Sequence, residues 1–118
     1  MTEIYGIKNC DTMKKALAWL EANGRPYVFI DYKKTPPSRP LLEGWLDRIP
    51  WQDLINRKGT TWRKLSDAER QGLNRESACH LMLAHPSLIR RPILTSGSSF
   101  MIGFDEAAYR SLLGDRDD

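Results

Sequence analysis

The spacing of apolar positions changes twice within the first thirty residues. Glu3 to Ile7 is a short run of β-branched and aromatic residues and predicts a strand. Met13, Ala16, Leu17 and Leu20 then fall at i, i+3, i+4 and i+7, which is one apolar helix face, with Lys14, Lys15 and Glu21 largely outside it. Asn9-Cys10-Asp11-Thr12 supplies residue types suited to a helix start. Gly24 ends the helix and Pro26 prevents its continuation. Tyr27 to Asp31 predicts a second strand. The opening therefore reads β-loop-α-β, with Cys10 in the loop.

After the break at Thr35-Pro36-Pro37, Ser38 is a candidate N-cap with Pro40 in the first turn. Leu41, Leu42, Trp45, Leu46 and Ile49 form a second helical face. Pro50 begins a short helix carrying Trp51, Leu54 and Ile55. Ser66-Asp67-Ala68-Glu69 fits a capping box, and Asn74 opens a further helix that stops by Pro86. Strand signals return at Pro92 to Thr95. Ser96 to Ser99 is a turn, Phe100 to Gly103 is the hairpin partner, and the short loop argues for antiparallel pairing. Asp105 caps a last helix with Ala108, Leu112 and Leu113 facing inward, and Gly114 to Asp118 is a polar, frayed tail. The order β-α-β, helical block, β-β-α predicts an α/β fold: a thioredoxin-like core with a mixed four-stranded sheet. One domain spans residues 1–118, with an all-helical insertion over about 38–86.

Composition adds little beyond a globular class: 41% of residues are hydrophobic and 28% charged. A net charge of +3 favours anionic ligands slightly and is too weak to imply nucleic acid. No apolar run reaches membrane-spanning length, and Met1 to Tyr5 lacks the basic and apolar pattern of a signal peptide. Cys10 and Cys79 are too few for a disulfide scaffold, so the expected compartment is the cytoplasm, where a cysteine stays a thiol.

Cys10 carries the chemistry. A cysteine between a strand and a helix start meets the unpaired first-turn N–H groups and the positive end of the helix dipole. Both favour the nucleophilic thiolate. Lys8 and Lys14 add positive potential, and Asp11 opposes it. The alternative, a small buried hydrophobe, fits poorly with the polar neighbours Lys8, Asn9, Asp11 and Thr12. Cys79, between Ala78 and His80 and near Leu81 and Met82, reads as helix core. Met13 stands where a C-x-x-C motif would place a resolving thiol, so the second thiol must come from glutathione or another small thiol. Arg57, Arg63, Arg90 and Arg91 lie near element ends, where a guanidinium either grips a carboxylate or oxyanion or remains a solvated surface group. His80 and His85 do not share a helix face, so no metal site is expected. The Arg57 to Lys64 stretch mixes basic residues with Trp62 and reads as a solvated basic loop, not a single-strand nucleic-acid site.

Ile4-Tyr5-Gly6-Ile7-Lys8-Asn9-Cys10-Asp11-Thr12, Asp31-Tyr32, Pro36-Pro37, Leu54-Ile55-Asn56-Arg57, His85-Pro86 and Ile89-Arg90-Arg91-Pro92-Ile93 resemble the arsenate reductase-like ArsC/Spx family. The opening motif and Arg57-Lys58-Gly59-Thr60-Thr61-Trp62-Arg63-Lys64-Leu65 resemble its YffB branch. The resemblance implies a cis Arg91–Pro92 bond facing the cysteine loop. It also implies an arsenate-type mechanism in which the Cys10 position attacks, with glutathione and glutaredoxin completing the reduction. Two of the three family arginines fall on Arg57 and Arg91. The third falls on Gly103, and a family histidine falls on Gly6.

These observations predict a glutathione-dependent thiol reductase with Cys10 as nucleophile. Lys8, Asn9, Thr12, Arg57 and Arg91 are the candidate substrate- and glutathione-binding residues, and Pro92 is structural at the site. Glutathione is the expected co-substrate, no tightly bound cofactor is expected, glutaredoxin is a candidate partner and a monomer is expected. Arsenate reduction is one alternative. An Spx-like protein-binding module with a vestigial cysteine is another.

Overall fold

In the computed structural model the described residues are 1–114 of the 118; from Asp115 on, the polar tail expected to fray lies outside them. Two compact units are resolved: Met1–Lys34 together with the chain from Arg91 onward, and Thr35–Arg90.

The first unit holds four strands, β1 (Thr2–Gly6), β2 (Val28–Asp31), β3 (Ile93–Ser96) and β4 (Ser99–Ile102), with helices α1 (Asp11–Ala22) and α7 (Glu106–Leu113). The strand order is β2-β1-β3-β4. β1 runs parallel to β2, with Ile4 beside Phe29, and antiparallel to β3, with Ile4 opposite Leu94. The parallel pair requires a crossover, which α1 supplies. The β3–β4 pair is closed by Gly97-Ser98, with Gly97 at φ +59° as the first central residue, a conformation glycine adopts without steric cost. This mixed four-stranded sheet with its flanking helices is the thioredoxin-like arrangement expected from the sequence.

Ile4, Met13, Ala16, Trp19, Leu20, Leu94 and Tyr109 form the core of this unit. The helical period alone placed Leu17 on the inner face of α1, yet Leu17 is only partly buried and Trp19 is taken into the core instead. The reason lies in α7. Tyr109 is fully buried, its ring meets Trp19 edge-to-face at 5.8 Å and Phe104 at 4.9 Å, and its hydroxyl donates to the Gly103 carbonyl at 3.1 Å. Edge-to-face aromatic pairing with a satisfied hydroxyl lets a tyrosine anchor the helix that Ala108, Leu112 and Leu113 were expected to hold. Asp105 caps α7 by accepting from the Ala108 N–H at 3.0 Å.

The second unit comprises α2 (Arg39–Leu46), α3 (Trp51–Leu54), α4 (Thr60–Lys64), α5 (Asp67–Arg70), α6 (Arg75–Ala84) and a 3-10 turn, Pro86–Leu88. α6 packs on α2, α3 and the 3-10 turn. Ser66 and Asn74 each cap their helices with both hydrogen bonds of a capping box. Ile55 leaves α3 and pairs with Ile89 in an isolated antiparallel bridge. The Asn56 N–H donates to the Leu88 carbonyl (2.7 Å) and the Arg90 N–H to the Leu54 carbonyl (2.8 Å), which fixes the start of the basic loop that follows. No helix of the described residues is long and apolar enough to cross a membrane.

Candidate active site around Cys10

Cys10 is the N-cap residue of α1. Its backbone is extended (φ −142°, ψ 125°), and its carbonyl accepts the Lys14 N–H at 2.9 Å. At this position a side chain ordinarily accepts a hydrogen bond from the N–H of the second or third helical residue. No side chain does so here. The first-turn donors are therefore left to whatever anion forms at the Cys10 sulfur. The side chain is partly exposed and rests against the core of the first unit. Lys8, Asn9, Asp11, Thr12 and Lys14 around it are all exposed.

Cys79 is the opposite case. It is 1% exposed in α6, and burial pushes its thiol upward in pKa. The nearby Arg39 opposes that shift, while Glu43 and Glu76 add to it. Both cysteines are unpaired thiols. The described residues contain no cluster of three or more histidine, cysteine or carboxylate side chains able to hold a metal.

Gly6, the last residue of β1, fixes the base of the cysteine loop. A Cβ at this position would lie 2.7 Å from the Met13 sulfur and 3.4 Å from the Arg91 Cβ. Met13 and Arg91, scattered in the sequence, thus both bound the space above Gly6. Met13 is fully buried, so the space above Gly6 is already filled. Overpacking of this kind costs roughly 1–3 kcal/mol. Gly6→Ala is expected to lower stability by about 1–2 kcal/mol, measured as a reduced urea midpoint with an unchanged slope. An unshifted midpoint would mean that the methionine yields without cost.

Arg91 is half-buried and joined to Pro92 by a cis peptide bond. The Pro92 carbonyl accepts the Gly103 N–H at 2.8 Å, which ties this segment to the end of the hairpin. The Tyr32 N–H donates to the Gly6 carbonyl at 2.8 Å. Tyr32 is buried and its hydroxyl has no hydrogen-bond partner. Burial drives its phenol well above the usual tyrosine range, and the positive charge of Arg91 works against that shift. Tyr32 was legible only as part of a motif, because nothing in its spacing marks a buried phenol under the influence of an arginine.

Arg57 belongs to the second unit and sits in the loop Asn56–Gly59. It is exposed, with its guanidinium carbon 5.7 Å from the Trp51 ring centre and 5.8 Å from that of Trp62. The Asn56 carboxamide accepts the Lys58 N–H at 3.1 Å and shapes this loop. An open depression of about 440 Å³ in the same unit is lined in part by Ile49, Pro50, Trp51 and Arg75. Its arginine is engaged by Asp47 at 2.7 Å and by the Leu46 and Glu43 carbonyls, so it acts as a structural clasp.

The sequence profile of the ArsC family matches residues 5–112. The chain belongs to the ArsC family. It is similar to the solved structure of a YffB protein, at 44% identity over 97% of this chain and all of the other, with a TM-score of 0.93. It is also similar to an arsenate reductase (ArsC) related protein from Brucella melitensis, at 47% identity over 96% of this chain and 94% of the other, with a TM-score of 0.75. Among sequence relatives, the global transcriptional regulator Spx of Streptococcus pneumoniae is 29% identical over 96% of this chain and 86% of its own length.

Two positions at which the resemblance would put family ligands, Gly6 and Gly103, are constrained by this fold. A side chain at position 6 has no room unless Met13 moves. Gly103 has open space around it but a φ of +83°, where any other residue is strained. Its N–H and carbonyl are engaged by Pro92 and Tyr109.

Proposed function

We propose that this protein is a glutathione-dependent thiol reductase with Cys10 as its single nucleophile. The observation that carries the reading is a partly exposed cysteine at an N-cap whose first-turn donors are otherwise uncapped. The Cys10 thiolate attacks the glutathionyl sulfur of a mixed disulfide, forming Cys10–S–S–glutathione and expelling the substrate thiolate, which takes a proton. A second glutathione thiolate attacks the Cys10-bound glutathionyl sulfur, releasing oxidised glutathione and restoring the Cys10 thiolate. The substrate disulfide is reduced, and two glutathione sulfurs end in one disulfide. Lys8, Asn9, Thr12 and Arg91 are the candidate ligand-binding residues on the Cys10 side, and Arg57 is a further candidate partner for a glutathione carboxylate. No tightly bound cofactor is needed. A reducing cytosol supplies the glutathione, and glutaredoxin is a candidate recipient of the mixed disulfide.

The test is incubation with oxidised glutathione followed by mass spectrometry, alongside reduction of a small mixed disulfide by wild type and Cys10→Ser. One glutathionyl group on Cys10, and activity lost in the variant, supports the reading. No adduct together with equal activity in both proteins overturns it. Arsenate turnover with glutathione and glutaredoxin is expected to be weak or absent, because Gly6 and Gly103 replace family ligands; robust turnover lost on Cys10→Ser would assign the arsenate reaction instead. The similarity to Spx favours a second reading, a regulatory module. Against it, Met13 removes the second thiol of a C-x-x-C switch. A Cys10 that takes no glutathione would favour that module.

A further inference from the structure

We propose that Trp51 and Trp62 are positioning residues that clamp the guanidinium of Arg57 as a preformed carboxylate anchor. The inference rests on the proposed function only for the identity of the ligand, glutathione. The clamp itself stands on three observations.

First, the Arg57 guanidinium lies over two indole rings at nearly equal centroid distances, 5.7 Å for Trp51 at the start of α3 and 5.8 Å for Trp62 in α4. An arginine stacked on an aromatic face keeps its planar edge available for hydrogen bonding, because the stack uses the π face and not the N–H groups. Second, Arg57 makes no hydrogen bond or ion pair among the described residues, although it is one of many arginines in the chain. Arg39, Arg70, Arg75 and Arg110 of the same chain are each bound to carboxylates. An exposed arginine ordinarily moves through many rotamers, so holding it still costs entropy at the moment of binding. Two rings that restrict it beforehand reduce that cost. Third, the loop on which it sits is itself built: the Asn56 side chain accepts from Lys58, and its amide nitrogen would lie 2.9 Å from any Cβ at position 59, so Gly59 leaves the room this turn needs. The basic stretch with an embedded tryptophan, which the sequence presents as a solvated loop, is instead helical from Thr60 to Lys64, and the loop before it carries a cation that faces two rings and has no hydrogen-bond or ion-pair partner among the described residues.

The clamp assigns Trp51 and Trp62 a role no charge pattern reveals. Bidentate recognition of a planar carboxylate follows from the guanidinium edge, and a lysine at position 57 would neither stack in the same way nor present the fork.

The experiment is nuclear magnetic resonance of the full chain, following the Arg57 side-chain Nε–H signal during titration with S-methylglutathione, which cannot form a disulfide. In wild type the signal is expected upfield of an ordinary arginine, because it lies over two rings, and it shifts on titration. Trp51→Leu with Trp62→Leu should return the signal to its ordinary position and weaken S-methylglutathione about threefold. Trp51→Phe with Trp62→Phe should keep most of the shift and most of the affinity, which a purely structural role would not predict. Circular dichroism checks the fold; if the leucine pair unfolds, the phenylalanine pair and each single leucine variant decide. An Arg57 signal that lies at its ordinary position in wild type, or that ignores the tryptophan substitutions, overturns the proposal. So does an Arg57 signal that S-methylglutathione leaves unmoved. Glutathionylation of Cys10, scored separately, distinguishes this failure from failure of the thiol reading: the clamp can respond as stated while Cys10 takes no glutathione, and the reverse outcome rejects the clamp alone.

Discussion

Iodoacetamide near neutral pH should modify Cys10 about a hundredfold faster than Cys79 in the folded protein. Alkylation requires a thiolate that the reagent can reach. Cys10 is partly exposed at the N-cap of α1, where the first-turn N–H groups have no side-chain partner. Cys79 is 1% exposed in α6, and burial raises its thiol pKa, so less thiolate is present there. Reaching it requires a local opening. An opening that costs about 3 kcal/mol slows reaction by more than a hundredfold. Peptide mass spectrometry over a time course measures both rates in one sample. The difference should vanish in denaturant, where both cysteines are equally accessible. Equal rates in the folded state would remove Cys10 from its assigned role, since neither the helix terminus nor the difference in burial would then be governing reactivity.

Arg91→Lys should weaken formation of the Cys10–glutathione mixed disulfide about tenfold. A bidentate, charge-assisted contact is worth about 1.5–3 kcal/mol, and lysine keeps the charge while losing the fork. Arg91 is half-buried, with its Cβ against Gly6 at the base of the cysteine loop and its charge felt by the Tyr32 phenol. A lysine ammonium at this position would lack the planar edge that suits a carboxylate. Arg63 and Lys64, exposed in α4, serve as controls and their neutral variants should change little. Arg57→Lys should have a smaller effect on binding than Arg91→Lys. The measurement is the rate and extent of glutathionylation, with circular dichroism to confirm folding. Wild-type behaviour in both arginine variants, with Cys10 still reactive, would leave glutathione without its anchors.

Most element types and their order were legible from the sequence because they rest on local rules; α4, read as part of a basic loop, was not. The 3.6-residue spacing of Met13, Ala16 and Leu20 fixed α1. Gly24 and Pro26 fixed its end, Ser66 and Asn74 announced their helices through capping chemistry, and the short loop at Gly97-Ser98 dictated an antiparallel hairpin. Cys10 could be placed at a helix start for the same reason. Pairings between distant segments carry no such periodicity. The exchange of Leu17 for Trp19 in the core follows from Tyr109, ninety residues later, whose ring supplies the edge-to-face partner. Likewise, Ile55 reads as the end of a helix until Ile89 draws it into a bridge.

The sequence by itself determined most of the elements, the thioredoxin-like order and the cysteine at a helix terminus, because propensity, capping and turn geometry act over a few neighbouring residues; the exception is α4, which lies in a stretch that reads as a basic loop and has no side-chain cap to announce it. Only the tertiary structure decided what those residues touch. It set Met13 and Arg91 against Gly6, closing the space above that glycine, and left the Tyr32 hydroxyl buried without a partner. It brought the Arg57 guanidinium over the rings of both Trp51 and Trp62, a contact that the basic loop does not announce. Such contacts depend on close packing between chain segments far apart in sequence, where tenths of an ångström decide whether a side chain fits.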